Sequence, residues 1–220
     1  MSQITFHSMA DSAYLWTAMH VADEKGVAYE FRALEYRSPE HFALHPFGKM
    51  PVMQHGDFFL YETAAIAHYI DRAFEGPPLQ PAGAREQAEV LRWVGIVNSY
   101  VFPVMNRFMK ERLVKQAWGF EADQAFIDSA AEPLALQVRL IDEAVARSGF
   151  LVGSTPTIAD SFLFPQLLFF AITADAKALL QKAPAAADWL ARMRARPSFR
   201  RSPMSGTYEA MAKIGAPAAR

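Results

Sequence analysis

The first third of the chain combines short apolar runs with two amphipathic stretches. Residues 4–7 and 29–34 are rich in β-branched and aromatic side chains and predict strands. Residues 13–25 carry apolar side chains at helical spacing and stop at Gly26, a residue suited to the left-handed conformation that ends many helices. The order strand–helix–strand predicts a parallel strand pair with a right-handed crossover.

A second group of elements follows a loop. Residues 51–54 and 58–60 predict two strands around a turn that contains Gly56, which is the pattern of a hairpin. A helix is predicted directly afterwards, at about residues 63–73. The order β-α-β, loop, β-β-α therefore predicts a small mixed α/β domain over residues 1–76.

The pattern changes at a proline-rich segment. Three prolines fall within residues 77–81 and cannot continue a helix, so residues 77–84 are predicted to be a linker. Beyond it, the apolar spacing is helical throughout, which predicts an all-helical domain over residues 85–220. Its helices are expected at about 85–115, with a kink at Pro103, and at 123–147, 157–172, 175–182 and 185–195. The last ten residues are expected to fray.

Composition narrows the possible functions. The chain has 220 residues, 52% of them apolar, and its 22 Lys+Arg against 23 Asp+Glu leave a net charge of −1. This balance argues against a nucleic-acid binder and against intrinsic disorder. Residues 1–6 lack a signal-peptide pattern, and no apolar run approaches the ~18 residues of a membrane span. We therefore expect a soluble, cytoplasmic protein with no membrane association.

The chain contains no cysteine at all. This excludes a disulfide scaffold, a thiolate nucleophile supplied by the protein and a cysteine-ligated zinc site. No metal is expected.

Three separated motifs resemble those of the cytosolic glutathione transferases. Residues 45–52 read His-Pro-Phe-Gly-Lys-Met-Pro-Val, similar to the family's Asn-Pro-x-Gly-x-Val-Pro segment. Residues 62–66 read Glu-Thr-Ala-Ala-Ile, similar to Glu-Ser-x-Ala-Ile. Phe-Leu-Val-Gly at 150–153 and Thr-Ile-Ala-Asp at 157–160 are similar to the third motif, Leu-x-Gly followed by Ser/Thr-Ile-Ala-Asp. The resemblance spans nearly the whole chain and is to serine-type, bacterial-like members.

The resemblance implies a thioredoxin-like domain followed by an α-helical bundle, usually as a homodimer, with glutathione as co-substrate. In that family the proline matching Pro51 is cis, and Met50 would hold the cysteinyl part of glutathione through its backbone. Lys49 would lie near the glycyl carboxylate. Thr63, expected as a helix N-cap, would bind the γ-glutamyl carboxylate, and Glu62 would supply charge for the ammonium group.

Three further residues are expected to serve the fold. His45 stands where the family more often has Asn, and we expect it to provide hydrogen bonds within the loop. Thr157 and Asp160 have the spacing of a capping box that would start a core helix.

The catalytic residue is expected in the turn before the first helix. Counting back from Gly26, Ser12 falls where the serine-type transferases keep their catalytic serine. A hydroxyl at a helix N-terminus can donate to a thiolate, and the alternative is that Ser12 is only the N-cap of this helix. Ser8, Tyr14 and His7 remain alternatives.

An apolar electrophile would need an apolar wall. Phe102, Met105, Asn106 and Met109 in the helical domain, with Met9 from the first domain, are the predicted electrophile pocket, although such stripes more often belong to a core. The predicted function is conjugation of glutathione to hydrophobic electrophiles, as in detoxification. Two alternatives stay open: a glutathione-dependent peroxidase, dehalogenase or isomerase, and a non-catalytic binding module.

Overall fold

The computed structural model describes residues 3–214. The chain forms two compact units, the first ending at Gln80 and the second starting at Pro81. This division falls inside the proline-rich segment 77–84. The predicted fraying of the last ten residues falls partly outside the described residues.

The first unit is a four-stranded sheet with three helices. The strand order is β2-β1-β3-β4, in which β1 runs parallel to β2 and antiparallel to β3, and β4 pairs antiparallel with β3. Phe6 lies opposite Phe31 on one side and Met53 on the other. The elements are β1 (Ile4–Ser8), α1 (Ala13–Lys25), β2 (Tyr29–Ala33), α2 (Pro39–Leu44), β3 (Val52–His55), β4 (Phe58–Tyr61) and α3 (Thr63–Ala73).

All predicted elements of this unit are present, and one was not predicted. Helix α2 occupies part of the expected loop between β2 and β3. The Ser38 hydroxyl caps it by accepting the amide of His41 at 3.1 Å, and Pro39 takes the first helical position. With only six residues, α2 is too short to show an apolar stripe in the sequence.

A buried ion pair closes the first unit. Lys25, at the end of α1, lies 3.3 Å from Asp71 in α3, and both side chains are almost fully buried. The same carboxylate accepts the amide of Leu79 at 2.8 Å. These contacts fasten the segment after α3 to the sheet domain, since buried charges are tolerated only when they are paired and hydrogen-bonded.

Helices are the regular secondary structure of the second unit in its described residues, and turns connect them. A long helical stretch covers residues 84–117, and shorter helices surround the central one, α8. The elements are α4 (Ala84–Ile96), a π-helical turn (Val97–Val101), α5 (Phe102–Met109), a second π-helical turn (Lys110–Val114), α6 (Lys115–Ala117), α7 (Gln124–Ser148), α8 (Ile158–Phe170), α9 (Ala174–Leu180), α10 (Pro184–Ala195), α11 (Pro197–Arg201) and α12 (Pro203–Ile214).

A π-helical turn, Val97–Val101, lies just before Pro103, where the sequence predicts a kink. The amide of Phe102 donates to the carbonyl of Val97, five residues back instead of four. Pro103 follows directly, and proline lacks an amide hydrogen and crowds the preceding turn. Within the described residues no helix is both long and apolar enough to cross a bilayer.

Asp160 organises the core of the helical unit. Its carboxylate accepts four hydrogen bonds at 2.9–3.0 Å, from the amides of Leu151 and Thr157, the Thr157 hydroxyl and the Trp189 indole. Thr157 and Asp160 form the predicted capping box of α8, so the folding role predicted for this motif is confirmed. Burial raises the pKa of Asp160, and the hydrogen bonds oppose that shift.

We expect Asp160→Asn to lower the free energy of unfolding by roughly 3 kcal/mol. The amide nitrogen of the new side chain would face N–H and O–H groups that now donate to the carboxylate, and these buried donors would lose their acceptor. Urea unfolding followed by circular dichroism measures this loss. Asp128→Asn, at an exposed site on α7, is the matched control and should change little. A loss below about 1 kcal/mol for Asp160→Asn would show that the carboxylate is not essential to the core.

Candidate active site

Ser12 lies at the N-terminus of α1, as predicted. It is the N-cap residue, and its hydroxyl oxygen accepts the amide of Leu15 at 3.4 Å. Its own amide donates to the carbonyl of Met9 at 3.3 Å, which closes a tight turn after β1. The side chain is half-buried, so the hydroxyl remains within reach of a ligand.

The turn that carries Ser12 contacts the loop that precedes β3. The amide of Met9 lies 3.0 Å from the thioether sulfur of Met50. The Met50-Pro51 bond is cis, as expected from the resemblance. Lys49 is exposed beside it. The structure thus brings the turn before α1 into contact with Met50, 41 positions further along the sequence.

Hydrogen bonds and one glycine shape the loop before Met50. His45 is buried, and its Nδ1 accepts the amide of Phe47 at 3.3 Å, which confirms the hydrogen-bonding role predicted for it. Gly48 has a φ of 58° and accommodates the Phe42 ring, which would lie 2.8 Å from any Cβ at that position. The loop therefore requires glycine here for both its backbone conformation and its packing.

The start of α3 differs from the prediction in one respect. Thr63 is the first helical residue and not the N-cap; the cap position belongs to Glu62, which has a φ of 70° and makes no side-chain capping bond. Thr63 is buried, whereas the Glu62 side chain is exposed. Because no side chain caps α3, its first amides remain available to an anion.

The three alternative catalytic residues differ in their surroundings. Ser8 is fully buried, and His7 is buried with its Nε2 2.9 Å from the side-chain oxygen of Gln54. Burial and the negative charge of Glu62 raise the pKa of Tyr14, which keeps its phenol protonated. Ser12 and Tyr14 are both half-buried at the start of α1.

Comparison with known proteins agrees with this geometry. The family model of the glutathione S-transferase N-terminal domain matches residues 2–72, and that of the C-terminal domain matches residues 124–192. Together the two ranges cover more than half of the chain, in the order that the family requires. The chain belongs to the glutathione S-transferase family.

Relatives along almost the full length support this assignment. The probable glutathione S-transferase GSTF1 of Oryza sativa subsp. japonica is 29% identical over 91% of this chain and 95% of its own length. Glutathione S-transferase 4 of Zea mays is 27% identical, covering 89% of both chains. A solved structure of glutathione S-transferase III in its apo form superposes with a TM-score of 0.83 at 27% identity, over 100% of both chains.

The comparisons confirm several predictions. The thioredoxin-like domain followed by a helical domain is the observed fold, and the chain is a glutathione transferase. Its matches above are to plant glutathione S-transferases, so the expected serine-type, bacterial-like subtype stays a prediction.

The predicted electrophile residues divide into two groups. Met105 and Met109 are buried within the helical unit, as core residues are. Phe102 and Asn106 are half-buried and line an open cavity of about 370 Å³. The cavity belongs to the helical unit alone, and its other lining residues are Pro103, Arg107, Lys110, Glu111, Val114 and Lys115. Met9 is exposed in the first unit.

Sequence reasoning missed His41. This residue is fully buried, and its Nε2 lies 2.8 Å from the carbonyl oxygen of Lys49. The only local signal is its place in Ser-Pro-Glu-His, where Ser38 and Pro39 start a helix. That pattern predicts the helix but not the contact.

His45 yields a prediction on pH. Burial lowers the pKa of His45, so the folded enzyme binds this proton less readily than the unfolded chain does. Its stabilising effect is therefore complete above the ordinary histidine value of about 6.5 and decreases as the pH falls below it. We expect His45→Asn to reduce the loss of unfolding free energy between pH 7.5 and pH 5.

Urea unfolding at both pH values measures this difference. Only the difference between the enzyme and the variant reports on His45. Equal losses in the two proteins would contradict the assignment.

Proposed function

We propose that Ser12 stabilises the glutathione thiolate while residues 49–51 and 62–63 hold the rest of the tripeptide. The observation that carries this proposal is the contact of the Ser12 turn with the Met50 loop, through Met9, at 3.0 Å. It brings a hydroxyl at a helix N-terminus close to the loop that would bind the cysteinyl backbone. The enzyme takes its reactive sulfur from the ligand, since the chain has no cysteine.

The hydroxyl of Ser12 can act in both of its roles at once. Its oxygen accepts the amide of Leu15 through a lone pair, which leaves the hydroxyl hydrogen to be donated to a thiolate. The N-terminus of α1 adds a favourable partial positive charge. Capping and catalysis therefore use different parts of one hydroxyl group.

Ionisation of the glutathione thiol alone explains little of the rate enhancement. A thiol with a pKa near 8.5 is ~3% ionised at pH 7, and lowering that pKa by two units raises the thiolate fraction to ~75%. Nucleophilicity falls with the pKa, which leaves a net gain of only about 3-fold. Holding the thiolate beside the electrophile contributes more, so we assign to Ser12 mainly the positioning of the sulfur.

Ser12→Ala should lower kcat about 10- to 100-fold, the effect of losing one hydrogen bond to a charged group, and leave the KM for glutathione within a few-fold. Steady-state turnover of a chlorinated aromatic substrate measures both constants.

Loss of the α1 cap also destabilises the protein by ~1 kcal/mol. Thr173→Ala is the matched control, because Thr173 caps α9 in the helical unit and accepts the amide of Ala176 at 3.2 Å. This control should lose stability but keep its kcat. Wild-type turnover in Ser12→Ala would refute the assignment to Ser12.

The two ends of glutathione fit different parts of the site. The uncapped amides at the start of α3 suit the γ-glutamyl carboxylate, and the exposed carboxylate of Glu62 suits the ammonium group. Thr63 adds a hydroxyl at the first position of the helix. Lys49 is exposed and suits the glycyl carboxylate.

The role of Lys49 can be tested by changing both partners. Lys49→Gln should raise the KM for glutathione about 5-fold, the effect of losing an exposed ion pair of ~1 kcal/mol. The same variant should leave unchanged the KM for the glycyl ethyl ester of glutathione, which lacks that carboxylate. An equal rise for both thiols would contradict the pairing.

The electrophile is proposed to be apolar, and the enzyme to act as a cytoplasmic homodimer without a metal. Phe102, which lines the cavity of the helical unit, supports an apolar electrophile. The exposed aromatic side chains of Phe47 and Phe58 support self-association. Sedimentation equilibrium measures the oligomeric state.

A further inference from the structure

His41 is a buried imidazole with both ring nitrogens engaged. Its Nδ1 lies 2.9 Å from the backbone nitrogen of Arg37, and its Nε2 lies 2.8 Å from the carbonyl oxygen of Lys49. A backbone amide can only donate, so Nδ1 must be the acceptor. The hydrogen of the neutral ring is then on Nε2, which donates to Lys49.

The bond to Lys49 also sets the direction of the next amide. The carbonyl of Lys49 and the N–H of Met50 belong to one planar peptide unit, which is trans. In such a unit the two groups point in opposite directions. Holding the oxygen against the buried ring of His41 therefore turns the Met50 amide away from the protein interior.

The Met50 amide is left for a ligand. No acceptor for it is found among residues 3–214. The Met50 side chain is held separately, by the amide of Met9 on its sulfur. The loop is thus fastened on both sides of a single outward-pointing donor.

We propose that His41 is a positioning residue for glutathione, which holds the Lys49–Met50 peptide unit so that the Met50 amide faces the cysteinyl backbone of the ligand. This inference rests on the proposed function, because it assumes that Met50 pairs with glutathione. His41 itself does not touch the ligand and acts through the peptide unit.

Two conservative variants test the two ring nitrogens of His41 separately. His41→Gln places a donor amide where Nε2 lies and loses the acceptor for Arg37. His41→Asn places an acceptor oxygen where Nδ1 lies and loses the donor to Lys49. If His41 served only the stability of the fold, the two variants would change the KM for glutathione to the same extent.

We expect His41→Asn to raise the KM for glutathione about 10-fold and His41→Gln to raise it by less than about 3-fold. The KM for the electrophile should stay unchanged in both variants. His68→Asn, at an exposed position on α3, is the control and should match the unchanged enzyme. Thermal melting shows that each variant is folded.

A ligand-free measurement separates this inference from the proposed function. The amide resonance of Met50 in a nitrogen-15 spectrum should shift in His41→Asn and stay near its position in His41→Gln. If the unchanged enzyme bound no glutathione, the proposed function and the positioning role would both fail. The Met50 resonance would still show whether His41 sets the orientation of the Lys49–Met50 peptide unit. Equal KM changes in the two variants, or an unshifted resonance in His41→Asn, would overturn the inference.

Discussion

The loop before β3 depends on one hydrogen bond from a buried imidazole to the carbonyl of Lys49. The ring of His41 has no exposure to solvent, so its hydrogen-bonding groups must be satisfied within the protein. The chain meets this requirement by directing the Lys49 carbonyl inward. In the proposal above, the same constraint leaves the Met50 amide free to face glutathione.

Each unit is stabilised by a buried carboxylate of its own. Asp71 in the sheet unit binds Lys25 and the amide of Leu79, and Asp160 in the helical unit accepts four hydrogen bonds. Both carboxylates fasten an irregular segment to a helix. Such segments cannot satisfy their own amides, so a buried carboxylate that collects several donors makes their packing possible.

The N-terminus of α1 shows how folding and chemistry share a group. The Ser12 hydroxyl accepts one amide of the helix and keeps a hydrogen that it can donate. The start of α3 is different, since Glu62 occupies the cap position at a positive φ without capping the helix. One helix of the site is capped by its own residue, and the other leaves its amides to an anion.

The sequence by itself determined the two-part fold, the three motifs and most elements, but not α11 and α12, because apolar periodicity, prolines and capping residues act within a few positions of one another. It did not determine helix α2 or the Glu62 cap, where the local signals are short or compatible with several backbone conformations. Only the tertiary structure decided that Met9 contacts Met50, 41 positions away, and that His41 contacts Lys49. Such contacts depend on how the loops pack against the sheet, which no local pattern encodes.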